Sequence, residues 1–348
     1  MPTRLNDISQ RIGKLKGEVL AHAMPVEVLG ITGMQKKMPK NVGESVVYRR
    51  WLPYGATASN QNTINRPAVN AAAHTLSEGV TPTADSLVPQ DVTATLAQYG
   101  CLYAVTDKMV DLHEDDIPAE MKKQTGERLG LVREMIRYGA LKAGTNAYYA
   151  GGTSRATVDK KLGLNILRIV TRNLRSNHAK MVTGILAPSP NFATKPVEAA
   201  WLVFSHSDLE ADIRDIPGFI HVSAYGSRKP VHETEIGSAE GFRFCISPEL
   251  APYADAGAAV GSTGLFSTSG SNVDVYPVIV VGEDSWGQVA LRGVNALDPT
   301  WIPPGQKDKS DPLGQRGYIG AKFYNSVVLL NQGWMAVIEA GISAIDNT

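Results

Sequence analysis

The chain has 348 residues, 43% of them hydrophobic, and its 34 Lys and Arg balance 34 Asp and Glu to a formal charge of zero. That length is ample for a buried core and admits two lobes at roughly 150 residues per domain, while the absent net charge singles out neither nucleic acid nor an anionic membrane as partner. Two distant cysteines, Cys101 and Cys245, make neither a disulfide framework nor a zinc knuckle, and no apolar run approaches the ~20 residues of a membrane span, so a reducing cytoplasm is the expected place of synthesis.

Leu5, Ile8, Ile12, Leu15 and Val19 recur at spacings of three and four, which predicts an amphipathic helix in an N-terminal arm. Pro39, Asn41 and Gly43 break the chain before a strand-like run, Ser45 to Trp51. From Pro53 to Gln90 the sequence is rich in Ala, Asn, Thr and Pro and poor in large apolar residues, so it cannot build a core of its own. A second strand-like run follows, Val92 to Val105. The whole reads as one long hairpin with an elaborated tip.

Met121, Thr125, Leu129, Val132, Ile136, Ala140 and Ala143 then keep a helical period from about Ile117 to Ala147, with Asp115 or Asp116 and Pro118 supplying the start signal. About thirty residues at 1.5 Å each make a helix of roughly 45 Å. A second helix is expected from about Val158 to His178, with Lys161, Arg168, Arg172 and Arg175 off its apolar face. Short strands and turns follow: 200–204, 219–223, 241–246 and 275–281, with a short helix at 207–215. A Gly/Ala/Ser/Thr loop spans Ala254 to Asn272 around Leu265 and Phe266, and another runs from Pro303 to Gly320. Two last strand-like runs, 321–330 and 333–340, complete an α+β chain with helices early and a mixed sheet late.

Chemistry-bearing motifs fail one by one. His113-Glu114 and His232-Glu233 could open a zinc-protease H-E-x-x-H, but Ile117 and Ile236 occupy the second ligand position. Ser285, in GEDSWG, does not stand in G-x-S-x-G and reads as a turn serine. The chain contains no G-x-G and its one Gly-Lys, Gly13-Lys14, is followed by Leu15, so neither dinucleotide nor P-loop chemistry is supported. The basic face between Lys160 and Arg175 lacks the aromatic interleaving of a single-strand binder. No catalytic residue, cofactor or metal is expected. So empty an inventory, beside a long extended loop and an amphipathic arm, favours assembly over catalysis.

Order and wording do match one family. PKNVGESVVYRR, LSEGVTPTADSL, DVTATLAQYGCLYAVTDKMVDL and LKAGTNAYYAGG, followed by GFIHVSAYG, ETEIGSAEGFRF and DPLGQRGYIGAKFYNSVVLLNQGWMAVIEAG, resemble the major capsid proteins of tailed phages, in the subfamily typified by coliphage N-four. The resemblance runs from about Lys40 to Ile342. It implies the Hong Kong 97-type capsid fold, divided here as an arm (1–45), an extended loop hairpin (46–107), a peripheral domain (108–200) with a spine helix at 117–147, an axial domain (201–317) and C-terminal strands returning to the peripheral domain (318–348).

What the resemblance implies for function is self-assembly as hexamers and pentamers into an icosahedral virion head, formed in the bacterial host cytoplasm around double-stranded DNA that lies non-specifically on its inner face. An encapsulin-like shell around cargo enzymes is the alternative. Expected partners are other copies of the chain, a portal, a decoration protein and, since the sequence begins almost directly at the arm, a separate scaffolding protein; no membrane is expected. The candidate inter-subunit contacts are Leu5, Ile8, Ile12 and Leu15 in the arm, Leu76, Glu78 and Val80 in the extended loop, and Leu265 and Phe266 near the expected axial tip.

Overall fold

The computed structural model describes residues 26–52, 70–82, 84, 86–113, 115–182, 199–226, 229–261, 263–293, 296–307 and 309–345. The stripe Leu5, Ile8, Ile12, Leu15 and Val19 lies outside the described residues. In chain order, β1 (Met34–Met38) and β2 (Ser45–Trp51) are followed by β3 (Pro89–Thr95) and β4 (Ala97–Thr106). Next come α1 (Asp107–Leu112), α2 (Ile117–Leu141), β5 (Ala147–Tyr149) and α3 (Leu164–Ser176). The rest comprises β6 (Trp201–His206), α4 (Glu210–Arg214), β7 (Ile220–His221), β8 (Glu235–Ala239), β9 (Phe242–Ser247), β10 (Tyr276–Val281), β11 (Trp286–Leu291), β12 (Asp298–Ile302), β13 (Arg316–Leu329) and β14 (Met335–Ala340).

A seven-stranded mixed sheet, ordered β5-β14-β10-β6-β9-β8-β7, forms one lobe. Its central strands are apolar at nearly every position because both faces are covered. Trp201, Val203, Val278, Val280, Ala336 and Ile338 point to one side, where Leu167, Val170 and Leu174 of α3 and Ile213 of α4 pack. Their alternates Leu202, Phe204, Ile279, Val281, Met335 and Val337 point to the other, against Tyr138 and Leu141 of α2, Trp286, and Val28 and Leu29 of the chain's entry segment.

The second lobe is a five-stranded sheet, β1-β11-β13-β12 with β4 on the other edge of β13. The fourteen residues of β13 serve three partners: β4 along 316–325, β12 along 318–322 and β11 along 325–329. The N-terminal half of α2 lies on this sheet, with Met121 beside Val105, Met109 and Ile319. Asp116 caps the helix by accepting the Ala119 N–H at 3.1 Å, which meets one of the four donors every helix start leaves free. Helix α2 therefore reaches from one lobe to the other.

The two lobes meet at a buried polar chain on α2. Both oxygens of the fully buried Glu134 are used: one accepts the backbone N–H groups of Val28 and Leu29, each at 2.7 Å. The other meets Arg137 at 3.0 Å. Arg137 in turn donates to Gln288 of β11 at 3.1 Å, and Gln288 donates to Asn325 of β13 at 2.9 Å. The entry segment lies this close only because Gly33, at φ +94°, turns the chain where a Cβ would fall 2.6 Å from the Trp286 ring.

Several elements differ from the sequence-based expectation. The spine helix stops at Leu141, not Ala147, because Ala147–Tyr149 pairs in parallel with β14. The second helix begins at Leu164; the residues before it are extended and bridge Lys161 to Gly341. The expected single strand 92–105 bends at Leu96 into β3 and β4, which belong to different sheets. The glycine-rich end of the 303–320 loop is already strand β13. Sheet membership also redraws the expected segments: β5, α3 and β14 belong with the seven-stranded lobe, whereas β11 and β12 belong with the five-stranded one.

Replacing Glu134 with Ala strands two backbone donors and leaves the buried Arg137 guanidinium only the longer, 3.5 Å contact with the part-exposed Glu27 as its ion pair, so it should cost about 3 kcal/mol. The check is urea denaturation of the purified subunit. An unchanged midpoint would show that the polar chain does not hold the lobes together.

Candidate assembly surface

Strands β2 and β3 form a two-stranded ribbon, Ser45 opposite Thr95 through Trp51 opposite Pro89. One face is apolar and docks on its own subunit: Tyr48, Val92 and Ala94 pack on Met38, Val289 and Leu330. Arg50 ties the ribbon down through Gln90 Oε1, at 2.8 Å, and the Leu330 carbonyl. Burial pushes the Tyr48 phenol up to about 12. The other face carries the exposed Val47 and Trp51 around the forked Arg49–Asp91 pair, both bonds 2.8 Å. Those bonds hold the Asp91 carboxyl below its ordinary range.

Beyond the ribbon, the segment that returns to β3 leaves its apolar residues in solvent. Leu76 is 73% exposed, Val80 65% and Leu87 77%, and Glu78 between them is exposed as well. Between Pro67 and Asp107 the sequence contains Glu78, Asp85, Asp91 and Asp107 but no Lys or Arg. Within the limb Glu78 and Asp85 are the acids, and among the described residues its apolar side chains are left uncovered.

At the ribbon's opposite end is a groove of about 660 Å³. Leu96, Leu291, Leu297, Phe323 and Tyr324 give it apolar walls, and Lys40, Arg292 and Lys322 stand at it beside Glu44 and Asp298. Next to it the sheet is bare around Leu102, Thr300 and Lys322, over Gly100 and Gly320. Leu102 and, on the edge strand β12, Trp301 and Ile302 remain exposed. Uncovered apolar surface of this kind marks interaction sites.

The third expected contact region behaves differently. The 254–272 segment is not a free loop. Asp274 accepts the Asp255 N–H at 2.8 Å and both the N–H and the hydroxyl of Thr268, at 3.1 and 2.6 Å. Leu265, expected to face a neighbour, is instead 7% exposed and bridged to Ser343 inside its own subunit, where it lies over the Cα of Gly341. Only Phe266, 41% exposed, is offered to solvent.

Catalytic geometry does not emerge among the described residues. Ser285 is buried and donates to the Gly282 carbonyl at 3.0 Å, as a turn serine does. His232 bonds locally to Thr234 at 2.8 Å. Burial pushes the Cys245 thiol up to about 12, which leaves it inert at neutral pH. Among the described residues no three His, Cys, Asp or Glu side chains gather, and no helix is long and apolar enough to cross a membrane.

Of the residues singled out from sequence, Leu76, Glu78, Val80 and Phe266 are accessible and Leu265 is not. Trp51, Leu102 and Trp301 were missed. Trp51 closes a strand of alternating polarity and was legible as an outward residue; Trp301, on a strand unrecognised in the sequence, carried no such signal.

No family model matches the chain. The major capsid protein of Pseudomonas phage KPP21 is 20% identical over 351 residues, covering 87% of this chain and 85% of that protein. The fold is similar to the capsid of Ralstonia phage GP4, with a TM-score of 0.66 at 12% identity over 100% of both chains. It is also similar to the head structure of Helicobacter pylori bacteriophage KHP40, with a TM-score of 0.59 at 11% identity over 97% of this chain and 96% of that one. At such identities the structural likeness is one of fold.

Leu265→Asp should destabilise the isolated subunit by about 3 kcal/mol or more, since it buries an unpaired carboxylate. Phe266→Asp should change it by no more than about 1 kcal/mol. Equal urea midpoints for the two variants would mean that Leu265 is not a core residue.

Proposed function

We infer that this chain is the major capsid protein of a tailed bacteriophage, a structural subunit that assembles with its own copies into the icosahedral head around double-stranded DNA. The observation that carries this reading is full-length similarity: a major capsid protein matches most of the sequence, and phage capsid subunits share the fold from end to end. These relatives are phage proteins, which favours a virion head over a shell for cargo enzymes. The placement beside coliphage N-four rests on the sequence phrases alone.

In this reading α2 is the spine and the five-stranded lobe the peripheral domain, while the seven-stranded lobe is the axial domain that meets its copies in hexamers and pentamers. The long ribbon is the extended loop, and it reaches a neighbour. Its acidic, apolar limb leaves the ribbon's far end, roughly 20 Å from the groove given six steps of about 3.4 Å along a paired strand. A groove with apolar walls, with Lys40 and Arg292 at it and Lys322 paired to Asp298, suits that limb on a second copy. Such a contact joins two different patches, so it is heterologous and generates a ring when the rotation closes. Scaffolding, portal and decoration proteins, and assembly in the host cytoplasm, belong to the same reading.

Electron microscopy of the purified, overexpressed chain should show closed shells. The Lys40→Glu/Arg292→Glu and Leu76→Asp/Val80→Asp variants should stay folded and form few or none. Normal shells from both variants would refute the groove contact, and a wild-type chain that forms neither shells nor ring-shaped capsomers, alone or with a scaffolding protein, would refute the capsid reading.

A further inference from the structure

Charge in this neutral chain is not evenly spread. Between Val158 and Lys180 stand Lys160, Lys161, Arg168, Arg172, Arg175 and Lys180 against the single acid Asp159. Helix α3, at the centre of that stretch, buries Leu167, Val170 and Leu174 against the seven-stranded sheet. Its sequence contains no Asp or Glu, and Arg168, Arg172 and Arg175 are all exposed. At a rise of 1.5 Å per residue these three lie along about 10 Å of one helix side.

Two of the six have work inside the subunit: Lys161 meets Asp212 at 3.0 Å and Arg168 meets Glu240 at 3.0 Å. Arg172, Arg175 and Lys180 form no ion pair with an acid among the described residues, although the Arg175 guanidinium lies 6.0 Å over the Trp201 ring. We propose that this α3 face, through Arg172 and Arg175 with Lys180 four residues past the helix end, is a phosphate-binding surface for double-stranded DNA, independent of base sequence. The proposal rests on the capsid reading for the identity of the polyanion.

Complementarity favours DNA over an acidic protein segment. Arginine forks match phosphate oxygens, and a duplex presents a charge every ~1.7 Å of axis, so a straight basic row meets phosphates in any register. A docked peptide needs apolar anchors as well. Among the described residues of this helix Ile169 is the one large exposed apolar side chain, and the groove and bare sheet described above lie on the other lobe. No base-reading element accompanies the row, so it meets the backbone only.

The test uses the full chain as subunit, a fluorescent 20-base-pair duplex of arbitrary sequence and anisotropy at several salt concentrations. The Arg172→Gln/Arg175→Gln/Lys180→Gln variant should bind at least 10-fold more weakly at 50 mM salt. Its log–log salt slope should fall by about 2.7, at about 0.9 for each phosphate no longer neutralised. Scrambling the duplex sequence should change neither protein's affinity. Equal affinity of variant and wild type would overturn the proposal, as would tighter binding of polyglutamate than of duplex, which would point to an acidic protein partner. Electron microscopy of the same variant keeps the two readings apart: assemblies of wild-type form with weakened duplex binding support the proposal, whereas failure of wild type and variant alike to form shells or ring-shaped capsomers, even with a scaffolding protein, would count against the capsid reading.

Discussion

One buried carboxylate, Glu134, sets the geometry on which both lobes depend. It has no water to solvate it, so every lone pair must find a donor within the protein, and the donors come from the entry segment and from Arg137. Arg137 passes the constraint to β11 and β13 through Gln288 and Asn325. An apolar pair of similar volume could fill the space, but it would not fix the angle and register at which three separate chain segments meet. Here the polar chain aligns the entry segment, the spine and the five-stranded sheet in one arrangement, and Val28 and Leu29 are thereby placed to close the core under the seven-stranded sheet.

Local patterns made some of this legible and hid the rest. The start of α2 could be read because Asp116 and Pro118 act within a single turn, and the ribbon could be read because a core-poor segment is flanked by two strand-like runs. The end of α2 could not. Ala140 and Ala143 continue the helical period, but the chain turns at Gly144, whose N–H bonds to the Leu141 carbonyl, and Ala147–Tyr149 then pairs with β14, almost two hundred residues later. The same holds for Leu265 and Phe266, adjacent in sequence and equally apolar. A bridge to Ser343 decides which of them turns inward, and no spacing rule carries that information. The surface was legible as a kind of segment, poor in large apolar residues and unable to build a core of its own, whereas the groove is built from four stretches far apart in sequence and has no local signature.

Assembly and stability draw on different residues. The two faces of the seven-stranded sheet and the Glu134 chain are complete within one subunit, so its fold is closed without a neighbour. The ribbon's limb, the groove and the bare half of the five-stranded sheet are left open. Apolar area left open in this way becomes favourable to bury once another surface covers it.

The way the ribbon is rooted has a mechanical consequence. Its two legs do not enter the five-stranded sheet together: one continues through β1 onto β11, the other through β4, and these lie on opposite edges of β13. A pull on the far end is therefore divided between the two sides of the longest strand. The β4 leg meets β13 in ten consecutive residue pairs, so a pull directed along β4 loads those bonds in shear and they resist together instead of opening one at a time. The ribbon's resistance to a pull is thus supplied by where two strands flank a third.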